Sequence, residues 1–391
     1  MRVAVVTTHP IQYQVPWLQK LAARDGIELQ VYFAMIPDSV EQGREFGVAF
    51  AWDIPLLEGY EYTVLENMAK PPSLTSFKGC DTPQIYREIR RGHFDAVIVN
   101  GWVAKTCLQA LLACRWSGTP CIVRGEANGL RPRVFWKRWL HRLLLSQYSA
   151  YLSIGSRNRD YYLQSGVRAD RIFATPYCVD NDRFSLSSSV LKSNPGHNAL
   201  CARFGLDPGL PIYLFSGKFV EKKRPGDIIE AVKRLASAGP ANFQVLMVGD
   251  GPLGDSLRAS AQGLPIHFTG FLNQSEITAA YAMADCLLLP SDHGETWGLV
   301  VNEAMACGLP ALVSDQAGCA SDLVTAGQTG DTFACGNIDE LAGLMGRYAA
   351  RPDLLQQMGS EARRCVLANF NFDRVVDGVL AALQSVGTRS N

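Results

Sequence analysis

The 391-residue chain lacks any stretch approaching the about 20 consecutive apolar residues that cross a bilayer as a helix. Its opening, MRVAVVTTHPIQYQ, turns at His9-Pro10 before an apolar core of signal-peptide length can build. A soluble, cytoplasmic protein is expected, or one held at the inner face of a membrane. An excess of one charge is missing too: Lys+Arg and Asp+Glu both total 37, so no overall field draws the chain to nucleic acid. Any anion site must be local. Paired cysteine motifs are also absent. The eleven cysteines are scattered without a CxxC, which argues against zinc and a disulfide framework and for reduced thiols packed as small apolar side chains.

What is present suits a globular protein of two domains. A chain of 391 residues exceeds what one core usually supports, and 47% hydrophobic against 19% charged residues is ordinary globular composition. Continuous apolar runs at 3–7, 29–33, 96–100, 121–124 and 150–154 alternate with helical patterns, as in a parallel sheet covered on both faces. The Ser-, Asn-, Gly- and Pro-rich stretch around SLSSSVLKSNPGHN has no apolar period and reads as a linker. Strands then resume at 212–215, 244–248, 266–269, 286–289 and 311–313, with helices at 225–238, 275–284 and 298–307. The expected organisation is a Rossmann-like domain over 1–185, a linker over 186–210, a second Rossmann-like domain over 211–370, and a closing helix within 371–391 that packs back on the first domain. The fold class is α/β, two doubly wound domains facing each other across a cleft. Ligands bind beyond the carboxyl ends of the strands in such sheets.

After the strand CLLLP comes SDHGETWGLVVNEAMACGLP, with Glu295 in a loop and Glu303 eight residues later on a helix. The amides near Trp297, Gly298 and Leu299 open that helix, and a helix N-terminus favours phosphate through its dipole and free donors. Carboxylates accept bonds from sugar hydroxyls and repel phosphate, so Glu295 and Glu303 suit the flanks of a diphosphate. Cations come from FSGKFVEKKRPGD, where a strand ends at Ser216-Gly217 and Lys218, Lys222, Lys223 and Arg224 follow. Gly249 and Gly251 in VGDGPL read as backbone positions near the same ligand.

The segment PSDHGETWGLVVNEAMACGLP resembles the E-x7-E motif of the family 4 retaining glycosyltransferases of the GT-B fold, and VGDGPL, FTGFLNQSEITAAYAMAD and TPYCVDNDRF agree with the same family. The resemblance covers about residues 170–335. It implies a nucleoside diphosphate sugar, UDP or GDP type, as donor, an unidentified hydroxyl acceptor, retention of anomeric configuration, and no required cofactor or metal. It places Glu295 on donor-sugar hydroxyls, Glu303 on the ribose, and Lys218 and Lys223 on the phosphates; a Lys where the family has Arg keeps charge but loses the bidentate fork. A sugar-nucleotide epimerase of the same fold and a catalytically silent sugar-nucleotide binding protein remain as alternatives.

In the first half, THPIQYQVPW offers His9, Gln12 and Tyr13 at a strand's carboxyl end, without the Gly-rich turn common in the family. The strand ending DAVIVNGW brings Asn100 and Trp102, and IVRGEANG brings Arg124, Glu126 and Asn128; these form the expected acceptor side. Glu126 reads either as a catalytic base for the acceptor hydroxyl or as a partner of Arg124. RPRVFWKRWLHRLLL sets Phe135, Trp136, Trp139, Leu140 and Leu143 at helical spacing against Lys137, Arg138, His141 and Arg142, with no acid from Arg131 to Arg142. Two readings stand: a helix on an anionic membrane surface, or a packed helix with a solvated basic face. Asp180-Asn181-Asp182 spells a D-x-D metal string, but its place after TPYCV suits turn and cap chemistry.

Overall fold

The computed structural model describes residues 1–43, 49–131, 134–191 and 196–387. The chain divides into two compact units. Unit 1 takes Met1–Glu41, Pro55–Tyr177 and the segment beginning at Phe372; unit 2 takes Gln42–Ile54 and Cys178–Asn371.

Unit 1 is built on a seven-stranded sheet of β1 (Arg2–Thr7), β2 (Glu28–Phe33), β3 (Glu61–Val64), β4 (Ala96–Asn100), β5 (Cys121–Arg124), β6 (Ala150–Ser153) and β7 (Ile172–Ala174), in the order β3-β2-β1-β4-β5-β6-β7. Every pairing is parallel. Unit 2 has a six-stranded sheet of β8 (Ile212–Ser216), β9 (Gln244–Val248), β10 (Ile266–Gly270), β11 (Cys286–Leu289), β12 (Ala311–Ser314) and β13 (Gly330–Phe333), in the order β10-β9-β8-β11-β12-β13, again all parallel.

The central strands are buried along their whole length because helices cover both faces, which is why their sequences run apolar without alternation. In unit 2 the helix Pro225–Ala238 begins with Pro in its first turn and Asp227 near its positive end, and it stops at Gly239. It turns Ile228, Ile229 and Val232 to the core. In unit 1 the helix Phe372–Gly387 lies against β6, β7 and the helix Val15–Ala22, although it follows all of unit 2 in the chain.

Three strands are not evident as apolar runs: β3, β7 and β13 lie at sheet edges and keep exposed or part-buried positions, so burial does not force an apolar sequence on them. The linker expected over 186–210 is replaced by structure. The helix Asn181–Leu191 packs in unit 2 against the helices Ile277–Met283 and Leu299–Ala306, and Gly196–Arg203 is helical too; residues 192–195 lie outside the described residues. Polar Ser188 is buried there, its hydroxyl bonded to the Cys307 carbonyl at 3.3 Å, which explains why a serine-rich sequence reads as linker and folds as helix. Residues 388–391 of the expected closing segment also lie outside the described residues.

Candidate functional site

Each sheet reverses its strand order once, between β1 and β4 in unit 1 and between β8 and β11 in unit 2. The loops leaving the carboxyl ends of strands at such a switch point make the binding crevice of a doubly wound sheet. The residues singled out in the sequence leave from those strands and their neighbours.

In unit 2, Lys223 sits in a short turn after β8 and Glu295 in the loop after β11. Their side chains form an ion pair that is only 14% and 13% exposed. The backbone holds them together: the Asp292 amide donates to the Lys222 carbonyl at 2.9 Å, and the Glu295 amide to the Asp292 carbonyl at 2.9 Å. Ser291 adds a hydroxyl bond to Glu295 Oε2 at 3.4 Å. Lys218 is part-buried just past β8.

Glu303 lies on the helix Leu299–Ala306, where Tyr281 donates its hydroxyl to Oε2 at 2.5 Å. Burial pushes the Glu303 carboxyl up; the Tyr281 bond and the charges of Arg183 and Lys223 pull against that rise. Arg183 is itself fixed by bonds to the Gln274 carbonyl at 2.8 Å and side chain at 2.5 Å. One lysine is thus ion-paired with one glutamate of the E-x7-E pair while its charge acts on the other.

The helix opens at Gly298, whose φ of +107° suits glycine and whose added Cβ would run into Leu289 and Cys319. The first-turn amides of any helix lack intrahelical acceptors, so this end can serve an anion. The Trp297 ring turns inward: it is 3% exposed, and its indole Nε1 donates to Asn302 at 2.8 Å. Leu299 is part-buried in the opening turn. Gly249 has a close-packing reason: at φ +127° a Cβ would strike the Gly217 carbonyl, and Gly251 approaches the Phe219 backbone in the same way. These glycines let the loops after β8 and β9 touch.

In unit 1, His9 stands two residues past β1 with Nδ1 2.9 Å from the Thr8 hydroxyl, and burial lowers its pKa to about 4, so the ring is neutral at ordinary pH. Gln12 is part-buried in the following turn, and Tyr13 stands edge-on to Tyr177, centroids 5.4 Å apart. Asn100, at the end of β4, donates to Gln14 at 2.9 Å, while its buried Oδ1 has no partner among the described residues. Buried Arg124 lies over the Tyr177 ring at 4.6 Å and bonds the Thr175 carbonyl at 3.4 Å. The expected alternative of an Arg124–Glu126 pair is not formed among the described residues. Glu126 instead accepts the Tyr177 hydroxyl, and burial with the Glu126 charge pushes that phenol well up. Trp102, expected on the acceptor side, is a core residue, 9% exposed, with its ring where a side chain at Gly125 would lie.

The helix Phe135–Leu145 packs on unit 1 through His141, Leu144 and Leu145, but the packed-helix reading does not extend to its aromatic residues. Phe135 is 84% exposed, Trp139 62% and Trp136 50%; only Leu145 is buried. Pro132 and Arg133 of the 131–142 stretch lie outside the described residues. The D-x-D string acts in capping: Asp180 Oδ1 accepts the Arg183 amide at 3.0 Å, and Asn181 bonds the Phe370 carbonyl at 2.8 Å. Among the described residues no cluster of three His, Cys, Asp or Glu could hold a metal.

Tyr281, Arg183, Ser291 and Tyr177 join these constellations without having been singled out. All four fall within the segments that carry the family resemblance, PSDHGETWGLVVNEAMACGLP, FTGFLNQSEITAAYAMAD and TPYCVDNDRF, which is the signal that could have found them.

Comparison with known proteins agrees with this architecture. Residues 200–365 match the family model described as glycosyl transferases group 1. A GDP-mannose-dependent alpha-(1-6)-phosphatidylinositol dimannoside mannosyltransferase from Mycobacterium tuberculosis is 33% identical over 181 residues, 44% of this chain and 44% of that one, so the chain spans less than half of that relative's length. A solved glycosyltransferase from Rickettsia africae superposes with a TM-score of 0.74 at 16% identity, over 98% of both chains. The Anabaena protein HepE, solved with UDP, gives 0.73 at 16% identity over 98% of this chain and 100% of its own. At such identities the likeness establishes fold: two Rossmann-like α/β units of the GT-B class.

Proposed function

We propose that the protein is a family 4 retaining glycosyltransferase of the hexosyltransferase type, which moves a sugar from a UDP- or GDP-type donor to a hydroxyl acceptor. The Lys223–Glu295 pair at the mouth of β8 and β11, beside the opening turn of the Glu303 helix, carries the reading. The names of the mannosyltransferase relative and the UDP-bound structure support a nucleoside diphosphate donor, and the E-x7-E resemblance supports retention.

In the reaction the bond from the anomeric carbon to the diphosphate oxygen breaks and a bond to the acceptor oxygen forms. Negative charge grows on the departing diphosphate. Lys218, Lys223 and the amides near Gly298 and Leu299 stabilise that charge electrostatically. Glu295 holds the Lys223 side chain in place through their ion pair and, as the diphosphate arrives, turns its second oxygen to donor-sugar hydroxyls. Glu303 accepts from the ribose. Gly217, Gly249 and Gly251 give main-chain access. On unit 1, the unpartnered Asn100 Oδ1 takes a hydroxyl of the acceptor, neutral His9 accepts bonds beside it with Gln12 and Tyr13, and Glu126, held by Tyr177 next to Arg124, serves as the base.

The exposed apolar stripe of Phe135–Leu145 and its basic neighbours support a peripheral seat on an anionic membrane, with the acceptor borne by that membrane. Eleven free thiols fit a reducing compartment and hence the cytoplasmic face.

Thermal-shift screening against UDP-, GDP- and ADP-sugars tests the donor site, because a ligand of the folded state raises its melting temperature. Glu295→Gln should keep the fold and lower transfer by roughly 10–100-fold, the value of one or two hydrogen bonds to a charged group. Unchanged turnover in that variant removes Glu295 from the site. Conversion of the donor sugar without an acceptor redirects the reading to an epimerase, and donor binding with no release of nucleoside diphosphate redirects it to a binding protein.

A further inference from the structure

The exposed helix Phe135–Leu145 borders a cavity of about 510 Å³ whose walls include Arg131, Arg138, Trp139, Arg142, Tyr161 and Gln164 and, among the described residues, no acid. Arg138 and Arg142 are four residues apart, so two like charges share one helix face, an arrangement that destabilises a helix unless something neutralises it. Elsewhere arginines meet carboxylates: Arg203 with Glu276, Arg224 with Asp227, Arg258 with Asp250, Arg347 with Asp331. Among the described residues none of the three cavity arginines has an ion-pair partner. The Arg142 guanidinium lies against the turn at Gly166, where an added Cβ would be 3.0–3.2 Å from it. Tyr161 forms a firm wall, its hydroxyl 2.7 Å from His141 Nδ1.

We propose that this cavity binds the terminal phosphate of a membrane lipid headgroup. Three guanidiniums without counter-charge match a phosphate carrying close to two negative charges and three free oxygens better than a phosphodiester with one charge and two. The volume lies in the range of small-ligand sites, about 300–1,000 Å³, and accommodates a phosphate with part of its headgroup. Trp139 fixes the source. It lines the cavity and is 62% exposed on the same helix as Phe135, Trp136 and Leu143, so an anion in the cavity sits at the depth of the headgroups when those side chains enter the acyl boundary. The inference rests on the membrane seat proposed above and adds to it a headgroup preference.

The test is vesicle co-sedimentation of the full chain with phosphatidylcholine vesicles doped with either phosphatidylglycerol, a phosphodiester, or phosphatidic acid, a terminal phosphate. Wild type is expected to prefer phosphatidic acid by about tenfold or more, the worth of one extra charge-assisted fork. Arg138→Lys with Arg142→Lys keeps the charge and removes the forks, so it should bind phosphatidylglycerol as wild type does and lose the preference. Unchanged donor-induced thermal shift in the variant shows that unit 2 is intact. A preference that survives the lysine pair, or is absent from a wild type that binds both anionic vesicles, overturns the cavity assignment and leaves the membrane seat standing. Binding to neither anionic vesicle overturns both, and inorganic phosphate binding at the cavity without lipid preference overturns the lipid source.

Discussion

Glu303 shows how a ligand site and stability pull apart at one residue. Burial raises its carboxyl pKa above the usual 4.5, so the ionised form is disfavoured in the fold. A raised acid of this kind weakens the folded state as pH climbs past its unfolded value, and the penalty is complete above its folded value. Glu303→Gln should therefore melt higher than wild type at pH 7–8, gain nothing near pH 4, and bind the donor more weakly; calorimetry across that pH range checks the first part and nucleotide titration the second. His9 works in the other direction. Its ring is held near pKa 4 against 6.5 when unfolded, so the unfolded chain takes up the proton first and stability falls as pH drops from 6.5 towards 4. Between pH 7 and pH 5 this amounts to about 2 kcal/mol, which His9→Gln should abolish in denaturant melts. At this scale the sequence made Glu295, Glu303 and Lys223 legible as a set, because spacing and charge type survive in one dimension. It did not reveal that Lys223 and Glu295 pair directly, nor that Trp102 and Trp297 turn inward. A loop residue's side-chain direction depends on what packs over it, and Gly125 and Asn302 are distant or unremarkable in the text of the chain.

Among elements, strands buried on both faces announce themselves as apolar runs, and nine of the ten marked runs coincide with strands whose residues are wholly or mostly buried. Edge strands β3, β7 and β13 answer to one neighbour and to solvent, so composition carries little sign of them. Helices Pro225–Ala238 and Phe372–Gly387 were legible from their period and their ends, whereas the Ser-rich helix Asn181–Leu191 was hidden by polar residues that bond inside the protein. The Phe372–Gly387 helix also contains an unusual contact. A Cβ on Gly378 would collide with the Ala174 carbonyl at the end of β7, so backbone meets backbone there. Glycine to alanine inside a helix ordinarily stabilises by about 1 kcal/mol. Gly378→Ala should reverse that sign and cost about 1–3 kcal/mol, read from the midpoint of urea unfolding at constant slope.

For the molecule as a whole, length and the alternation of apolar runs with helical patterns were enough to expect two Rossmann-like bodies and a closing helix on the first, but not the membership of Gln42–Ile54 in unit 2. Helix Phe372–Gly387 lends unit 1 the buried side chains Val375, Val376, Val379 and Leu383. Each is worth about 1.5–3 kcal/mol when buried, so ending the chain at Asn371 removes as much as a whole domain's usual margin of about 5–15 kcal/mol. The truncated protein should lose the unfolding transition of unit 1 in calorimetry while that of unit 2 persists. The same helix sets a timetable. Cys178–Asn371 must leave the ribosome before it does, and at about 5–20 residues per second that delay is roughly 10–40 s. Throughout it the newborn first sheet carries an uncovered apolar flank along β6 and β7, a natural stopping place for a chaperone, and stalled nascent chains ending before Phe372 should be protease-sensitive in unit 1 where longer ones resist.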